Sequence, residues 1–481
     1  MIFRFSTKLS LSIRCFPNSF FKYSKSLSRN YGDIVYMKTH RKKKIINVIS
    51  LGCSKNLVDT EQLLAQLKAN DFDVVHDSDN PAARTVVINT CGFINDAKQE
   101  SIDTILEHIR AKEKGIIDQV FVMGCLSQRY SYQLKKEIPE IDGIVGVNNL
   151  DEMVKILGGD YRKDLIGERM ITTPSHYAFL KISEGCDRKC SFCAIPLIRG
   201  NQISRPMEEI IAEAGWLVSQ GVKEIILIAQ DSTYYGLDNY KKQSLADLLE
   251  GLSAIYGLEW IRLHYAYPVS FPRDIIRVMR DRKNICNYLD IPFQHISDKI
   301  LKSMRRSINS HETYELIHQL RDEIPGLTLR TTLLVGYPGE DEKNFNEMLE
   351  FISRVKFDRL GVFHYSEEEG TYSALHYRDN VPRDVKEKRV AKVMEIQERI
   401  SLEKNRARVG QSYKTIIDRI EGENYIGRTE SDSPEVDNEV IIGPGPVLKT
   451  GEFYTVSMFE AEAFDLFGRV VNNVATGECN P

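Results

Sequence analysis

Six of the nine cysteines in this 481-residue chain fall into two triplets whose spacing suits metal binding better than disulfides or core packing. Cys186, Cys190 and Cys193 form the compact set, C-x-x-x-C-x-x-C, within Lys181-Ile182-Ser183-Glu184-Gly185-Cys186-Asp187-Arg188-Lys189-Cys190-Ser191-Phe192-Cys193. A four-iron cluster normally takes four thiolates. Three supplied within eight residues leave one iron open to a chelating ligand. The amino and carboxylate groups of S-adenosylmethionine fit such an iron. An electron from the cluster then cleaves the sulfonium and releases a 5′-deoxyadenosyl radical able to take hydrogen from carbon. Phe192, just before the third cysteine, can pack against the adenine, and Gln230, in a later polar cluster, is a second candidate contact for the same ligand. A zinc knuckle is the alternative reading of this motif.

The second triplet is dispersed, but its members share one structural address. Cys53 follows Ser50-Leu51-Gly52, Cys91 follows Val86-Val87-Ile88-Asn89-Thr90, and Cys125 follows Phe121-Val122-Met123-Gly124. Each stands at the end of an apolar run that reads as a strand. In a parallel sheet all three would lie at the carboxyl edge, where such sheets hold their ligands. Gly52, Gly92 and Gly124 flank them and allow the backbone to approach a bulky inorganic centre. Three buried structural thiols are one alternative. Structural zinc is another, but it normally closes with four ligands, and no fourth cysteine accompanies these.

Elements that could position both sets alternate along the chain. Ile45 to Ser50, Phe72 to His76, Thr85 to Asn89 and Gln119 to Met123 read as strands, with helices of 3.6-residue apolar period between them. The pattern implies a parallel sheet covered on both faces. Asp160 to Pro174 reads as a polar linker. Beyond it, Tyr177 to Ser183, Glu224 to Gln230, Trp260 to Ala266, Tyr288 to Phe293, Thr328 to Gly336 and Arg359 to Tyr365 make six β/α units, enough for a partial barrel. Polar clusters follow these strands, including Gln230-Asp231-Ser232, Gln294-His295 and His364-Tyr365-Ser366, at the end where β/α barrels do their chemistry. His295 and His364 are read as structural rather than catalytic.

Composition narrows the class. The chain has 42% hydrophobic and 27% charged residues, as a soluble globular protein does, and no apolar run long enough to suggest a membrane span. A net charge of −4 provides no overall basic field for nucleic acid. Sparse cysteines used as ligands suit a reducing compartment, so a cytoplasmic location is expected. Residues 1–32 lack Asp and Glu and alternate Arg and Lys with Ser and Phe. That composition resembles an organelle transit peptide. The preferred reading is an upstream extension, with Met37 the true start.

On these motifs the chain resembles the methylthiotransferase family of radical S-adenosylmethionine enzymes. The resemblance runs from about Ile45 to Arg469. It rests on Ser50-Leu51-Gly52-Cys53-Ser54-Lys55-Asn56, Asn89-Thr90-Cys91-Gly92-Phe93-Ile94, Gly124-Cys125-Leu126-Ser127-Gln128-Arg129-Tyr130 and Cys193-Ala194-Ile195-Pro196 through Arg199-Gly200. Ala229-Gln230-Asp231-Ser232-Thr233 and Ile291-Pro292-Phe293-Gln294-His295 resemble the branch that modifies ribosomal protein S12. The tRNA-modifying branch tends to have Gln-Ser-Gly-Ser where this chain has Gln294-His295-Ile296-Ser297. Ser54 replaces a common Pro and Asp187 a common Asn; neither change removes a ligand. The resemblance implies that Cys53, Cys91 and Cys125 hold an auxiliary four-iron cluster carrying the sulfur to be inserted. It implies that Cys186, Cys190 and Cys193 hold the cluster that cleaves S-adenosylmethionine. One molecule of S-adenosylmethionine would supply the methyl group and a second the radical. The implied product is a β-methylthio aspartate on ribosomal protein S12, free or in the small subunit. A sulfur donor and a reductant such as flavodoxin or ferredoxin are implied partners. The alternative is a tRNA adenosine methylthiotransferase of the same mechanism.

The expected organisation is an extension over 1–44, an N-terminal parallel α/β domain over 45–160, a partial (β/α)6 radical S-adenosylmethionine barrel over 172–402, and a small antiparallel β-barrel resembling the oligonucleotide-binder-like TRAM domain over 405–471. Val381 to Val409 reads as a long helix joining the last two. In the terminal domain Glu430, Asp432, Glu435, Asp437 and Glu439 crowd one short loop. Such a loop would suit a basic protein partner and make direct RNA binding secondary.

Overall fold

The computed structural model describes residues 44–165 and 167–471. The readings placed on the N-terminal extension, including the transit-peptide alternative, lie outside the described residues, Lys44 apart. Among the described residues no helix is long and apolar enough to cross a membrane.

Strands β1 (Ile45–Ser50), β2 (Asp73–His76), β3 (Thr85–Thr90), β4 (Gln119–Gly124) and β5 (Gly143–Ile144) form a parallel sheet in the order β2-β1-β3-β4-β5. Val86, Val87 and Ile88 in β3 are buried on both faces, as central parallel strands require. The helix Ser54–Ala69 buries Leu63, Leu64 and Leu67 against one face. The helices Asn95–Glu113 and Cys125–Glu137 bury Ile105, Ile109, Leu126 and Leu134 against the other. In this order the winding reverses between β1 and β3. Open α/β sheets bind ligands in the crevice beyond that switch point.

The second sheet contains β6 (Tyr177–Lys181), β9 (Glu224–Ile228), β10 (Trp260–Leu263), β11 (Ile285–Asp290), β12 (Thr328–Val335) and β13 (Arg359–His364), parallel throughout in the order β13-β12-β11-β10-β9-β6. Between β6 and β9, β7 (Ser183–Glu184) and β8 (Ile203–Ser204) pair antiparallel and close the base of the loop carrying Cys186, Cys190 and Cys193. Alternation along the strands divides their side chains. Ala178, Leu180, Ile225, Leu227, Ile261 and Leu263 join the core beneath the helices. The opposite face carries Tyr177, Glu224, Arg262, Tyr288 and Arg330 beside apolar Phe179, Ile226 and Ile228, so charged side chains lie inside the half-barrel.

The terminal strands β14 (Ser412–Glu421), β15 (Asn424–Thr429), β16 (Glu439–Ile442), β17 (Phe453–Ala461) and β18 (Asp465–Val470) close in the order β14-β15-β16-β18-β17. The barrel is antiparallel, as expected, except for β16–β18. A ring of five strands cannot alternate direction all the way round, so one neighbouring pair must run parallel.

Two expectations are corrected. The stretch from Asp160 to Pro174 is no free linker. Arg169 is buried and pairs with Glu61 at 2.7 Å and Glu213 at 3.1 Å, and Thr172 N–H donates to Glu61 at 2.7 Å. Nor is the acidic run of the terminal domain simply an outward docking loop, since Asp432 and Asp437 turn inward. Asp432 is buried against Arg359, and Asp437 against Arg330 and the Tyr288 hydroxyl, the last at 2.7 Å. Tyr177 donates to Glu435 at 3.1 Å, Arg262 donates to the Glu430 carbonyl at 2.6 Å, and Arg419 pairs with Glu439 at 2.9 Å. Ser433 Oγ lies 3.0 Å from His264 Nε2. The loop plugs the amino-terminal end of the half-barrel, where strand-borne arginines take up the charges of Asp432 and Asp437, while Glu430 and Glu435 remain exposed residues.

Candidate active site between two cysteine triplets

The carboxyl ends of β1, β3 and β4 are level: Ser50 pairs with Asn89, and Thr90 with Gly124. Cys53, Cys91 and Cys125 therefore leave the sheet together, at the switch point. Asn56 staples the loops. It is fully buried, and its Nδ2 donates to the Leu51 carbonyl at 2.9 Å and the Thr90 carbonyl at 3.0 Å. Two glycines are obligatory. At Gly52 (φ 97°) a Cβ would lie 3.0 Å from Cys91 Sγ, and at Gly124 (φ 103°) it would lie 2.4 Å from Asn89 Oδ1. Burial, reinforced by the neighbouring Cys53 thiol, pushes Cys91 up to about 12. Burial likewise pushes Cys125 up to about 11, against the pull of Arg199.

The compact triplet sits in the loop between β7 and β8. Cys186 N–H bonds the Gly200 carbonyl at 3.1 Å, and Gln202 N–H bonds Asp187 at 3.1 Å, drawing the ends of the loop together. Arg306 donates to Cys190 Sγ at 3.4 Å, and the Tyr267 hydroxyl lies 3.8 Å from the same sulfur. Burial raises Cys186 to about 12 and raises Cys193 as well. Such thiols become thiolate ligands when positive charge compensates, and bound iron supplies it.

All six cysteines are free of disulfides. Among the described residues no three His, Cys, Asp or Glu side chains converge as ligands of one metal ion would. Three sulfurs around a glycine-lined approach, with a guanidinium against one of them, suit a cluster at each place.

A buried ion network joins the two loops. Arg199 donates to Cys125 Sγ at 3.5 Å, to Asn56 Oδ1 at 2.6 Å and to Glu184 at 2.8 Å, and lies 3.4 Å from Asp59. Lys181 bonds Glu184 at 2.8 Å and also pairs with Asp59. Burial opposes ionisation of Glu184, but Lys181 and Arg199 outweigh it and hold the carboxyl far below its usual range. Glu184 stands two residues before Cys186, so a single guanidinium reaches from one triplet to the threshold of the other.

Of the residues expected to contact S-adenosylmethionine, Gln230 donates to Glu184 at 2.9 Å while its Oε1 has no hydrogen-bond partner. Phe192 is half-buried and edge-on to Tyr337, with ring centroids 6.4 Å apart. His295 is fully buried. Its Nδ1 accepts from the Ile296 and Ser297 N–H groups, each at 2.9 Å, and its Nε2 faces Glu340 at 3.4 Å. His364 is half-buried at the end of β13. Arg199, Lys181, Asp59 and Asn56 were not singled out from sequence. Their signal was polar side chains within one or two turns of a cluster cysteine.

Comparison with known proteins agrees with this geometry. Residues 180–352 match the Radical SAM superfamily, 45–146 the Uncharacterized protein family UPF0004, and 409–471 the TRAM domain. The chain is 56% identical over 432 residues to Ribosomal protein uS12 methylthiotransferase RimO of Bacteroides thetaiotaomicron, spanning 90% of this chain and 99% of that protein. It is 54% identical over 429 residues to the protein of the same name from Flavobacterium johnsoniae, spanning 89% and 98%. Among solved structures, the radical S-adenosylmethionine methyltransferase TsrM from Kitasatospora setae shares the fold, at a TM-score of 0.51 and 13% identity over 66% of this chain and 73% of that one. The radical S-adenosylmethionine domain makes S-adenosylmethionine and a four-iron cluster cofactors of this chain. In its motifs, its site and its relatives alike, the chain belongs to the RimO family of radical S-adenosylmethionine methylthiotransferases.

Proposed function

We propose that this enzyme places a methylthio group on the β-carbon of an aspartate of ribosomal protein uS12, with a second four-iron cluster on Cys53, Cys91 and Cys125. The observation that carries the two-cluster reading is the reach of Arg199 from Cys125 Sγ to Glu184, beside Cys186. Bound at these places, the clusters supply reductive cleavage of S-adenosylmethionine at the compact triplet and sulfur at the other. The protein's own groups do the positioning. Asp231, fixed by Thr233 N–H at 3.0 Å, holds Arg188 at 2.7 Å beside the compact loop. Arg306 and Tyr267 stand against Cys190, and Asn56 holds the auxiliary loops to the sheet. A sulfur source and a low-potential reductant such as flavodoxin or ferredoxin complete the reaction.

The acidic run carries little weight in the choice of substrate, because Asp432 and Asp437 are spent on Arg359 and Arg330 inside the molecule. The uS12 assignment rests on the name carried by the relatives. The test offers the reconstituted enzyme S-adenosylmethionine, reductant and sulfide with uS12 and, in parallel, with tRNA. A methylthio mass increment on an aspartate of uS12 is expected. Modification of tRNA with none on uS12 would overturn the reading.

A further inference from the structure

Lys55 lies two residues after Cys53, in the first turn of the helix Ser54–Ala69, and is only 8% exposed. Lys181 and Lys386, the other buried lysines among the described residues, each hold a carboxylate. Lys55 holds none. Its ammonium rests on the ring of Tyr265, with Nζ 3.4 Å from the centroid. The stem is buried, but among the described residues the ammonium makes no hydrogen bond or ion pair, and a cation–π contact replaces the hydration it has lost only in part. Three ammonium protons have bonding capacity to spare.

The surroundings repeat that signature. Asp290, close enough to feel the charge of Lys55, is also buried, and its Oδ1 has no hydrogen-bond partner. Its nearest cationic group, Arg330 Nε, stands off at 3.9 Å. Tyr265 adopts the left-handed region at φ 58°, a conformation costly for a bulky side chain and kept only where the surroundings enforce it. Two residues further on, Tyr267 reaches Cys190 Sγ. The segment from Tyr265 to Tyr267 thus runs from the ammonium beside the auxiliary triplet to a sulfur of the compact one. Tyr265, Gln294 and Thr332 are partly exposed, so solvent reaches this part of the barrel mouth.

We propose that Lys55 is the receptor for the side-chain carboxylate of the target residue, holding it between the two triplets. The proposal rests on the aspartate reading above. A compact ammonium suits one carboxylate without demanding the two-pronged geometry of an arginine. The carboxylate of S-adenosylmethionine has the same chemistry, so the experiment must separate the two sources.

The test uses reconstituted enzyme on uS12 and on uS12 whose modified aspartate, located in the wild-type product, is replaced by asparagine. Wild type should prefer aspartate by about 100-fold in kcat/KM, the scale on which a desolvated charge pair is lost. Lys55→Gln should bring the preference to within about threefold, chiefly through KM, and Lys55→Arg should restore most of it. A Gln variant that keeps the wild-type preference overturns the proposal. Should that variant fail to load its clusters, amine labelling of Lys55 in the native enzyme decides instead. The aspartate form of uS12 should slow labelling and the asparagine form should not. Equal labelling in both arms, or protection by S-adenosylmethionine alone, overturns it. No product on wild-type uS12 defeats the aspartate reading itself, and this proposal falls with it.

Discussion

Replacing Arg199 with methionine keeps side-chain length and removes a charge that Glu184, Asp59, Asn56 and Cys125 all share. Glu184 and Asp59 would then divide Lys181 between them. Removing one partner of a buried pair costs about 3–5 kcal/mol. The side chains of Glu184 and Asp59 retain 13% and 17% exposure, so the lower end applies, about 3 kcal/mol. For a domain of this size that corresponds to about 6–12 °C in melting temperature. The loss should be local. Amide exchange should accelerate in the helix Ser54–Ala69 and in the loop between β7 and β8, and stay unchanged in the terminal barrel. Arg199→Lys keeps the charge but loses the fork that serves Glu184 and Asn56 together, so it should fall between the two. Calorimetry and exchange on the metal-free chain keep cluster loading out of the comparison. A methionine variant that melts within about 1 °C of wild type, with unchanged exchange, would refute the idea that this guanidinium joins the domains.

Replacing Cys186, Cys190 and Cys193 with serine should remove about half the bound iron and abolish S-adenosylmethionine cleavage, whereas replacing Cys53, Cys91 and Cys125 should remove the other half and block sulfur insertion. Iron, sulfide and zinc analysis decides, and stoichiometric zinc in place of iron would sink the cluster reading. Asp437→Lys sets a cation against Arg330 and should destabilise the chain by about 3–5 kcal/mol, as a buried pair broken on one side does. Wild-type stability in that variant would contradict the plug described above. Stability should also depend on pH in two stages. Burial, aided by Arg262, holds His264 neutral well below its usual pKa, so the unfolded chain takes up its proton first and stability falls as pH drops through about 6.5. Burial opposes ionisation of Glu224, Asp418 and Asp432, but Arg428 outweighs it for the first two and Arg359 for the third, lowering all three. Their contribution is complete above about pH 4 and lost as pH falls below it. Melting curves across pH test both stages, and His264→Gln should erase the upper one alone.

Much of the candidate site could be read in the sequence because the cysteines proposed to hold clusters are few, chemically distinctive and placed just after strands. Cys53, Cys91 and Cys125 are spread over some 70 residues of the chain, yet each ends an apolar run, and parallel strands bring such ends to one edge. Strand limits shifted by a few residues: β11 begins at Ile285 rather than Tyr288, and β10 ends at Leu263 rather than Ala266. Burial of flanking residues in loops blurs such limits. The misreading of the acidic run has a physical origin. Charge in a sequence shows no partner, and the matching arginines lie far upstream. Their signal was present: Arg262, Arg330 and Arg359 sit near the starts of otherwise apolar strands, where a charge needs a counter-charge. Lys55 and Arg199 were visible within motifs, but only packing reveals which buried cation has a partner and which has none.

The plug also bears on how freely such domains can be exchanged. Its carboxylates and carbonyl meet Tyr177, Arg262, Tyr288, Arg330 and Arg359 on five different strands, each at a set position. A terminal barrel borrowed from a distant relative would bring a loop cut for another lock. Excising the barrel would leave three arginines and two tyrosines facing water inside a cavity shaped to exclude it. The terminal domain is thus the missing floor of the catalytic one, and the two would have to be transplanted, shortened or redesigned as a single unit.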